Sequence, residues 1–231
     1  MITLGIDLSS QPTNTAVCRI KWTDDGTAIA SKPEGRCDDL TLDKHISEAD
    51  VVGIDAPFGW PMAFAASVGS WTAQIWTVDL RDRMRFRTTD IATHQRTSLW
   101  PLSVSSDRIA LPAMRAMALL ERHGVTDKSG DGRFYEVYPA GSLACWNLPR
   151  RGYKRGPEAL GKRKQILEGI RRRFPEMTIP SNYCDNDHAL DSLLAAITAR
   201  MAKLGSTIVP DAPQLVAARV EGWIHLPRKI Q

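Results

Sequence analysis

Two short apolar segments, ITLGIDLSS at residues 2–10 and VVGIDAPFGWP at residues 51–61, contain the same three residues, Gly-Ile-Asp. Each segment predicts a buried β-strand, because β-branched residues and leucine are concentrated in it and turn-forming residues follow at once. The two strands end at Asp7 and Asp55. A carboxylate at the end of a core strand is costly to bury without a partner, so two of them on neighbouring strands predict a shared cation.

The length and composition of the chain indicate its general class. The 231 residues, of which 43% are apolar, predict a single domain over 1–231 with a sizeable core. No apolar stretch approaches the roughly 20 residues that cross a bilayer, and the first residues resemble a strand rather than a signal peptide. Four scattered cysteines lack the paired spacing of zinc sites. We therefore expect a cytoplasmic protein with reduced cysteines and no membrane partner.

The first quarter of the chain alternates between apolar and polar residues, as β-strands do. This pattern predicts an antiparallel meander of three strands, followed by a helix and a fourth strand parallel to the first. The strands are predicted at residues 2–8, 15–22, 27–31 and 51–55, with a turn at 23–26 and the helix at 40–50.

The segment from residue 57 to 132 differs from the strands around it, because four tryptophans punctuate a polar and mostly helical sequence. We interpret it as a helical insertion that covers the site. Ser105 or Ser106 is the expected cap of its last helix, which Pro112 should end or kink near the start.

Strand character returns at residues 133–140 and places Glu136 near a strand end. An amphipathic helix with a basic outer face is predicted at 157–174. A last helix is predicted within 183–205, with Asp185 as its cap. One turn of helix separates Asp187 from Asp191, so both acids should lean toward the sheet.

The charges are distributed unevenly. Residues 1–60 carry ten Asp and Glu against five Lys and Arg, whereas 141–174 carry ten Lys and Arg against two Glu. This distribution predicts an acidic half that binds a cation and a basic half that binds phosphates, with a solvated helix face as the alternative for the basic half.

Five motifs together resemble the predicted RNase H-like nucleases that were first catalogued as a domain of unknown function: GIDLSS, GIDAPFGWP, RTTD, EVYPA, and NDHALDSLLAAITAR with a closing EGWI. The resemblance covers nearly the whole chain. It implies an α/β, RNase H-like mixed sheet flanked by helices, with the helical insertion at 57–132. It also implies a metal-dependent nuclease that hydrolyses phosphodiester bonds.

The resemblance carries three acids over to this chain. Asp7 matches the metal ligand on the first strand, Asp55 the acid on the fourth strand, and Asp191 the acid on the last helix. Many RNase H-like nucleases have Glu where this chain has Asp55. Either Asp187 or His188 is expected to complete the set, because relatives often carry consecutive acids before the final Asp.

Phosphodiester hydrolysis explains why such acids would be gathered. Carboxylate oxygens suit Mg²⁺ or Mn²⁺, and two ions roughly 3.5 to 4 Å apart can stabilise both the attacking water and the leaving oxygen. The predicted metal ligands are therefore Asp7, Asp55, Asp187 and Asp191. The predicted catalytic residues are Asp7, Asp55, Asp191, Glu136 and His188, although Glu136 has the alternative of pairing with a buried arginine.

A nucleic-acid substrate needs basic contacts to its backbone. Arg87 is predicted either to hold a substrate phosphate in a bidentate manner or to form an intrahelical ion pair with Asp90. The other predicted backbone contacts are Lys154, Arg155, Lys162 and Arg163. No residue pattern distinguishes DNA from RNA.

Two other functions remain open from the sequence. Actin-like phosphotransferases share the RNase H-like core, and their first strand also ends in Asp followed by small hydroxyl residues, as Asp7 to Ser10 do here. A glycine-rich phosphate loop is lacking, which weighs against this reading. The remaining alternative is a binding protein that keeps the acids without catalysis.

Overall fold

An open mixed β-sheet forms the centre of the molecule in the computed structural model, which describes residues 1–228. The sheet order is β7-β3-β2-β1-β5-β6-β8, with β4 beside β2. Strands β1, β2 and β3 form an antiparallel meander, and β5, β6 and β8 extend the sheet in parallel. The strands are β1 (Ile2–Asp7), β2 (Ala16–Trp22), β3 (Ala28–Ala30), β4 (Glu34–Gly35), β5 (Val51–Asp55), β6 (Phe134–Val137), β7 (Met177–Thr178) and β8 (Ile224–His225).

Helices flank the sheet on both sides. Within residues 1–228 they are α1 (Asp39–Ser47), α2 (Met62–Gly69), α3 (Val78–Arg85), α4 (Thr88–Thr97), α5 (Ala110–Arg122), α6 (Pro139–Cys145), α7 (Ala159–Arg173), α8 (Asp187–Lys203) and α9 (Ala212–Glu221). On one side, α1 and α5 bury apolar residues against Leu4 and Ile6 of β1. On the other side, α7 and α8 pack against β2 and β3. The predicted class, an α/β fold with a mixed sheet flanked by helices, is confirmed.

The repeated Gly-Ile-Asp motif determines how closely α8 approaches the sheet. Gly5 and Gly53 lie side by side in the parallel register of β1 and β5. A Cβ atom added at Gly5 would overlap the carbonyl oxygen of Ser192 and the amide nitrogen of Ala196. A Cβ atom added at Gly53 would lie 2.6 Å from the carbonyl oxygen of Ala195. The helix backbone therefore occupies the space that two side chains would otherwise fill.

The same motif directs the acids toward α8. Side chains two residues apart in a strand point to the same face, so Asp7 shares the face of Gly5, and Asp55 shares the face of Gly53. The intervening isoleucines, Ile6 and Ile54, point to the opposite face and join the core beneath α1 and α5. The Gly-Ile-Asp pattern thus leaves room for the backbone of α8, adds an isoleucine to the core and places a carboxylate at the end of each strand.

The predicted strands and the helix that follows the meander are confirmed, with strand boundaries that differ by at most one residue and a helix that ends at Ser47, three residues before the predicted end. The predicted helix caps are wrong. Helix α5 is preceded by Ile109, which makes no side-chain cap, and Ser105 and Ser106 lie earlier in the chain. Asn186, rather than Asp185, caps α8, because its side-chain oxygen accepts a hydrogen bond from the amide of Ala189 at 2.8 Å.

The segment between β5 and β6, in which the helical insertion was predicted, contains four helices, α2 to α5. Its last helix, however, does not cover the acids. Ala116, Leu119 and Leu120 of α5 are buried in the core beneath β1 and β5, and Arg115 donates hydrogen bonds to the Ser9 carbonyl and to Asp39. Helix α5 is therefore part of the layer that supports the sheet.

Across residues 1–228, no helix combines the length and the apolar character that would let it cross a membrane.

The close approach of α8 predicts a large effect of a single methyl group. Gly5→Ala should lower the free energy of unfolding by about 1–3 kcal/mol, because the core has no room for the new atom. Gly161→Ala is the matched control, since a Cβ atom at this position in α7 meets nothing within 4 Å. That control should be neutral or stabilise the protein by about 0.5–1 kcal/mol. Urea unfolding of both variants measures the difference, and equal stability would contradict the packing described here.

Candidate metal centre

Three carboxylates meet above the glycine pair. Asp7 ends β1, Asp55 ends β5, and the two residues are direct neighbours in the parallel register. Asp191 lies one turn into α8 and its side chain is completely buried. One carboxylate oxygen from each of the three acids lies within 4.8 Å of the others. The acids thus come together from three separate regions of the sequence.

This proximity changes the electrostatics of two of the acids. Burial raises the pKa of Asp55 well above its ordinary value, and the charges of Asp7 and Asp191 raise it further. Burial also raises the pKa of Asp191 to about 6, with a further contribution from Asp7 and an opposing one from Lys154. The folded chain alone therefore compensates these negative charges incompletely, which favours binding of a cation.

Asp191 is held by a loop that sequence reasoning treated only as basic. The hydroxyl group of Tyr153 donates a hydrogen bond to Asp191 Oδ1 at 2.9 Å. The ammonium group of Lys154 lies 2.7 Å from Asp191 Oδ2. This contact is an ion pair between a cationic side chain and a buried carboxylate oxygen.

The ammonium group of Lys154 contacts the acid group, although much of the side chain remains exposed to solvent. Desolvation lowers the pKa of the ammonium group, but the carboxylates of Asp191, Asp55 and Asp7 outweigh that effect and raise it above the ordinary value. Lys154 was predicted to contact a nucleic-acid backbone. The structure places it first as the counter-ion of Asp191.

His188 pairs with Asp7. Its Nδ1 lies 2.6 Å from Asp7 Oδ2. The hydrogen bond with Asp7 raises the pKa of His188, while partial burial opposes this shift. Asp187, the first residue of α8, does not belong to the group of three acids. Of the two residues considered as the completing member of the site, His188 is the one in contact with it.

Glu136 has a different role from the three acids. Its carboxylate receives hydrogen bonds from Arg87 Nη1 and Nη2 at 2.9 and 2.7 Å, and from the amide of Phe58 at 2.9 Å. Arg87 also donates to Asp90 Oδ1 and to the Glu221 carbonyl. Both side chains of the Arg87–Glu136 pair are almost fully buried. The alternative in which Glu136 pairs with a buried arginine is the one that the structure shows.

The charges in this network are shared unevenly. Burial raises the pKa of Glu136, and Arg87 only partly offsets this effect. Burial works against the charge of Arg87, but Asp90 and Glu136 together raise the pKa of the guanidinium above its ordinary value. Both pKa values are raised, which disfavours the charged form of Glu136 and favours that of Arg87, because one cation serves two carboxylates. The two-point geometry of Arg87 with Glu136 is that of an ionised pair.

The predicted phosphate contacts divide into buried and exposed groups. Arg87 is committed to the network with Asp90 and Glu136, so its guanidinium is not presented to a substrate. Arg163 is also buried, and it donates to the carbonyl groups of Tyr153, Cys184 and Asp185. Lys162 is partly exposed and pairs with Glu158 at 3.2 Å. Arg155 is exposed on the same loop as Lys154.

A cavity of about 370 Å³ opens beside the acids. Asp7, Asp55 and Lys154 line this cavity. Trp100 and Leu102 from the segment before α5, both about half exposed, line it as well. Trp100 is stacked on the rings of Phe86 and His94. The inserted segment therefore contributes an ordered aromatic wall to the cavity.

Sequence reasoning missed Tyr153 as part of the site. A tyrosine in a Gly-Tyr-Lys-Arg stretch carries no pattern that assigns it to a distant aspartate, and 38 residues separate it from Asp191. The only available signal was its position next to Lys154 in a basic loop close to an acidic site.

The donor set fits a hard divalent cation. All three ligands are carboxylates, which suit Mg²⁺ and Mn²⁺. The side chain of Asp55 receives no hydrogen bond from any residue in the described range, so its oxygen atoms are available to an ion.

Comparison with family models identifies the class of the chain. Residues 5–215 match the family described as "Protein of unknown function (DUF429)", and the chain belongs to that family. No curated protein and no solved structure matches the chain. The acidic group is therefore interpreted from its own geometry.

The separate role of Glu136 leads to a prediction. Glu136→Gln should lower the free energy of unfolding by about 1–3 kcal/mol, because the change weakens a buried charged pair. It should leave the affinity for Mn²⁺ unchanged, since Arg87 rather than the three acids holds this side chain. Thermal unfolding and isothermal titration calorimetry check the two parts. Glu121→Gln on the exposed face of α5 is the control, and a strong loss of Mn²⁺ affinity in Glu136→Gln would make Glu136 a ligand.

Proposed function

We propose that this protein is a metal-dependent nuclease that hydrolyses phosphodiester bonds with Mg²⁺ or Mn²⁺ held by Asp7, Asp55 and Asp191. The observation that carries the proposal is the convergence of these three carboxylates to within 4.8 Å at the strand ends of a mixed sheet. The sheet, with its antiparallel meander and its parallel extension, agrees with the RNase H-like resemblance of the sequence. Fold alone does not establish an activity, so the proposal depends on the site.

The bound ion would supply a positive charge beside the phosphate and lower the pKa of a coordinated water. Asp7 and Asp55 would hold the ion at the ends of β1 and β5. His188 restrains Asp7 through the contact with Oδ2. In hydrolysis the oxygen of a water molecule bonds to phosphorus while the bond to the leaving ester oxygen breaks. One proton leaves the water and the leaving oxygen gains one.

The basic loop, residues 149–157, supports nucleic acid as the substrate. It contains four exposed cationic side chains, Arg150, Arg151, Lys154 and Arg155, of which Lys154 contacts the acid group. The loop is fixed by the contact of Tyr153 with Asp191 and by that of Arg163 with the Tyr153 carbonyl. Cations on a loop that contacts the acid group suit a charged backbone that continues beyond the phosphate being cleaved.

The arrangement offers less support for a phosphotransferase. In that alternative, the residues after Asp7 would wrap nucleotide phosphates with their amide groups. Here the Ser9 amide donates to Thr15 Oγ1 at 3.3 Å, and the Ser9 hydroxyl accepts from the Gln11 amide. The loop is thus occupied by its own hydrogen bonds. Calorimetric titration with ATP tests this reading directly.

The metal ligands give the first test of the proposed function. Asp55→Asn should weaken Mn²⁺ binding at least tenfold, since even residues that only support a ligand cost about 10–100-fold when changed. It should abolish Mn²⁺-dependent cleavage of single-stranded, double-stranded, branched and hybrid nucleic acids. The melting temperature without metal should stay the same or rise, because Asn removes a charge that its neighbours disfavour.

The control for this variant is Asp24→Asn, which changes an exposed acid in the turn after β2. It should retain both binding and cleavage. Cleavage by Asp55→Asn at the rate of the unchanged protein would rule out the proposed site.

The basic loop predicts a dependence on salt. Replacing Arg151 and Arg155 by alanine should reduce the slope of log affinity against log salt by about 0.7 to 0.9 for each lost phosphate contact. Fluorescence anisotropy with a labelled oligonucleotide, at several salt concentrations and without cleavage in Ca²⁺, gives the slope. Lys44→Ala on the exposed face of α1 is the control. An unchanged slope in the double variant would exclude the loop from the interface.

A further inference from the structure

The ammonium group of Lys154 occupies a position inside the acid group that a second metal ion would need. It lies 2.7 Å from Asp191 Oδ2. That oxygen is buried and belongs to the acid on α8, opposite the two acids on the strands. In a two-ion site, this side of the acid group would hold the second ion. Here a side chain of the protein already provides a positive charge there.

The position of Lys154 is built into the fold. Tyr153, the preceding residue, is buried, and its hydroxyl group donates to the other oxygen of Asp191. The Tyr153 carbonyl accepts a hydrogen bond at 2.8 Å from Arg163, which is itself buried. The ammonium group also lies 5.7 Å from the centre of the Tyr153 ring. The backbone beside Lys154 is thus anchored at two points next to the acids.

Few carboxylate oxygens remain for metal ions once the protein contacts are assigned. Asp7 Oδ2 faces His188, and the two oxygens of Asp191 face Tyr153 and Lys154. Asp7 Oδ1 and both oxygens of Asp55 form no hydrogen bond or ion pair with the described part of the chain. Three oxygens on two adjacent strands, completed by water, suit one hexacoordinate ion better than two.

The charges of the site also favour a single divalent ion. Three carboxylates and one ammonium group leave two negative charges, which one divalent ion neutralises. A second divalent ion would make the site strongly positive before any substrate arrives.

We propose that the site binds a single divalent ion, held mainly by Asp7 and Asp55, and that Lys154 supplies the second positive charge in place of a second ion. This inference rests on the proposed metal site and deepens it. It replaces the expectation of two ions with one ion and a lysine. The lysine is then a resident part of the centre, placed beside any phosphate that the ion binds.

The number of ions is measured directly on the unchanged protein. Titration with Mn²⁺, with free Mn²⁺ quantified by electron paramagnetic resonance, should give one ion per chain at up to millimolar metal. Two ions of comparable affinity per chain would overturn the inference while leaving the proposed metal site in place. No bound Mn²⁺ at all would overturn both.

Variants of Lys154 test its role as the second cation. Lys154→Met should tighten binding of the first Mn²⁺ about tenfold or more, because a unit charge a few ångströms away no longer opposes the ion, and it should admit a second, weaker ion. Lys154→Arg keeps the charge and should retain a single ion. Lys21→Met is the matched control, because Lys21 is exposed and lies opposite Ile2, at the far end of β1 from Asp7.

Thermal unfolding confirms that each variant is folded before titration. If Lys154→Met binds Mn²⁺ with the affinity and stoichiometry of the unchanged protein, Lys154 is not the second cation. If Lys154→Arg has the same Mn²⁺ affinity and stoichiometry as Lys154→Met, the positive charge at this position does not determine the number of ions, and the inference is also wrong.

Discussion

The contact between α8 and the two glycines of the central strands is the constraint on which the rest of the site depends. Gly5 and Gly53 are neighbours in the sheet, and the backbone of α8 lies where their side chains would be. This close contact brings Asp191 down to the level of the strand ends. With any larger residue at either position the helix would have to move away, and the carboxylate on α8 would separate from those on β1 and β5.

Carboxylates near this edge of the sheet have two different environments. Glu136 is neutralised within the protein by Arg87, and the pair joins β6 to the start of α4 and to the end of α9. Within residues 1–228, Asp7, Asp55 and Asp191 are paired with the ammonium group of Lys154, the imidazole of His188 and the hydroxyl group of Tyr153. The charge of Glu136 is thus paired within the protein, whereas the negative charges of the three nearby aspartates are only partly compensated. That contrast identifies the three as a site rather than as part of the structural network.

The sequence was sufficient to predict the sheet and the principal acids. Alternation of apolar residues locates the strands, and the repeated Gly-Ile-Asp places Asp7 and Asp55 at matching ends of parallel neighbours. The last helix brings in Asp191 through its apolar stripe. The purpose of the glycines was not predictable in the same way, because a close approach between distant backbones leaves no periodic pattern.

The errors have physical causes as well. Arg87 forms the ion pair with Asp90 that was one of the two predicted alternatives, but its burial also depends on Glu136, which lies 49 residues away. Arg163 is buried because it donates to backbone carbonyls of the loops around Tyr153 and Cys184. Charge patterns along a sequence do not show such pairings. The helix caps failed for a simpler reason, since several adjacent polar residues can cap a helix and only the local backbone selects one. Tyr153 and Lys154 became part of the site through the folding of a loop whose composition indicates only exposure.

The most direct test of the central claim is anomalous diffraction at the manganese edge from crystals grown or soaked with Mn²⁺. The account predicts one strong peak within coordination distance of the carboxylates of Asp7 and Asp55, with Lys154 still beside Asp191. A map with no peak between these strand ends, or with metal bound only elsewhere on the molecule, would contradict it.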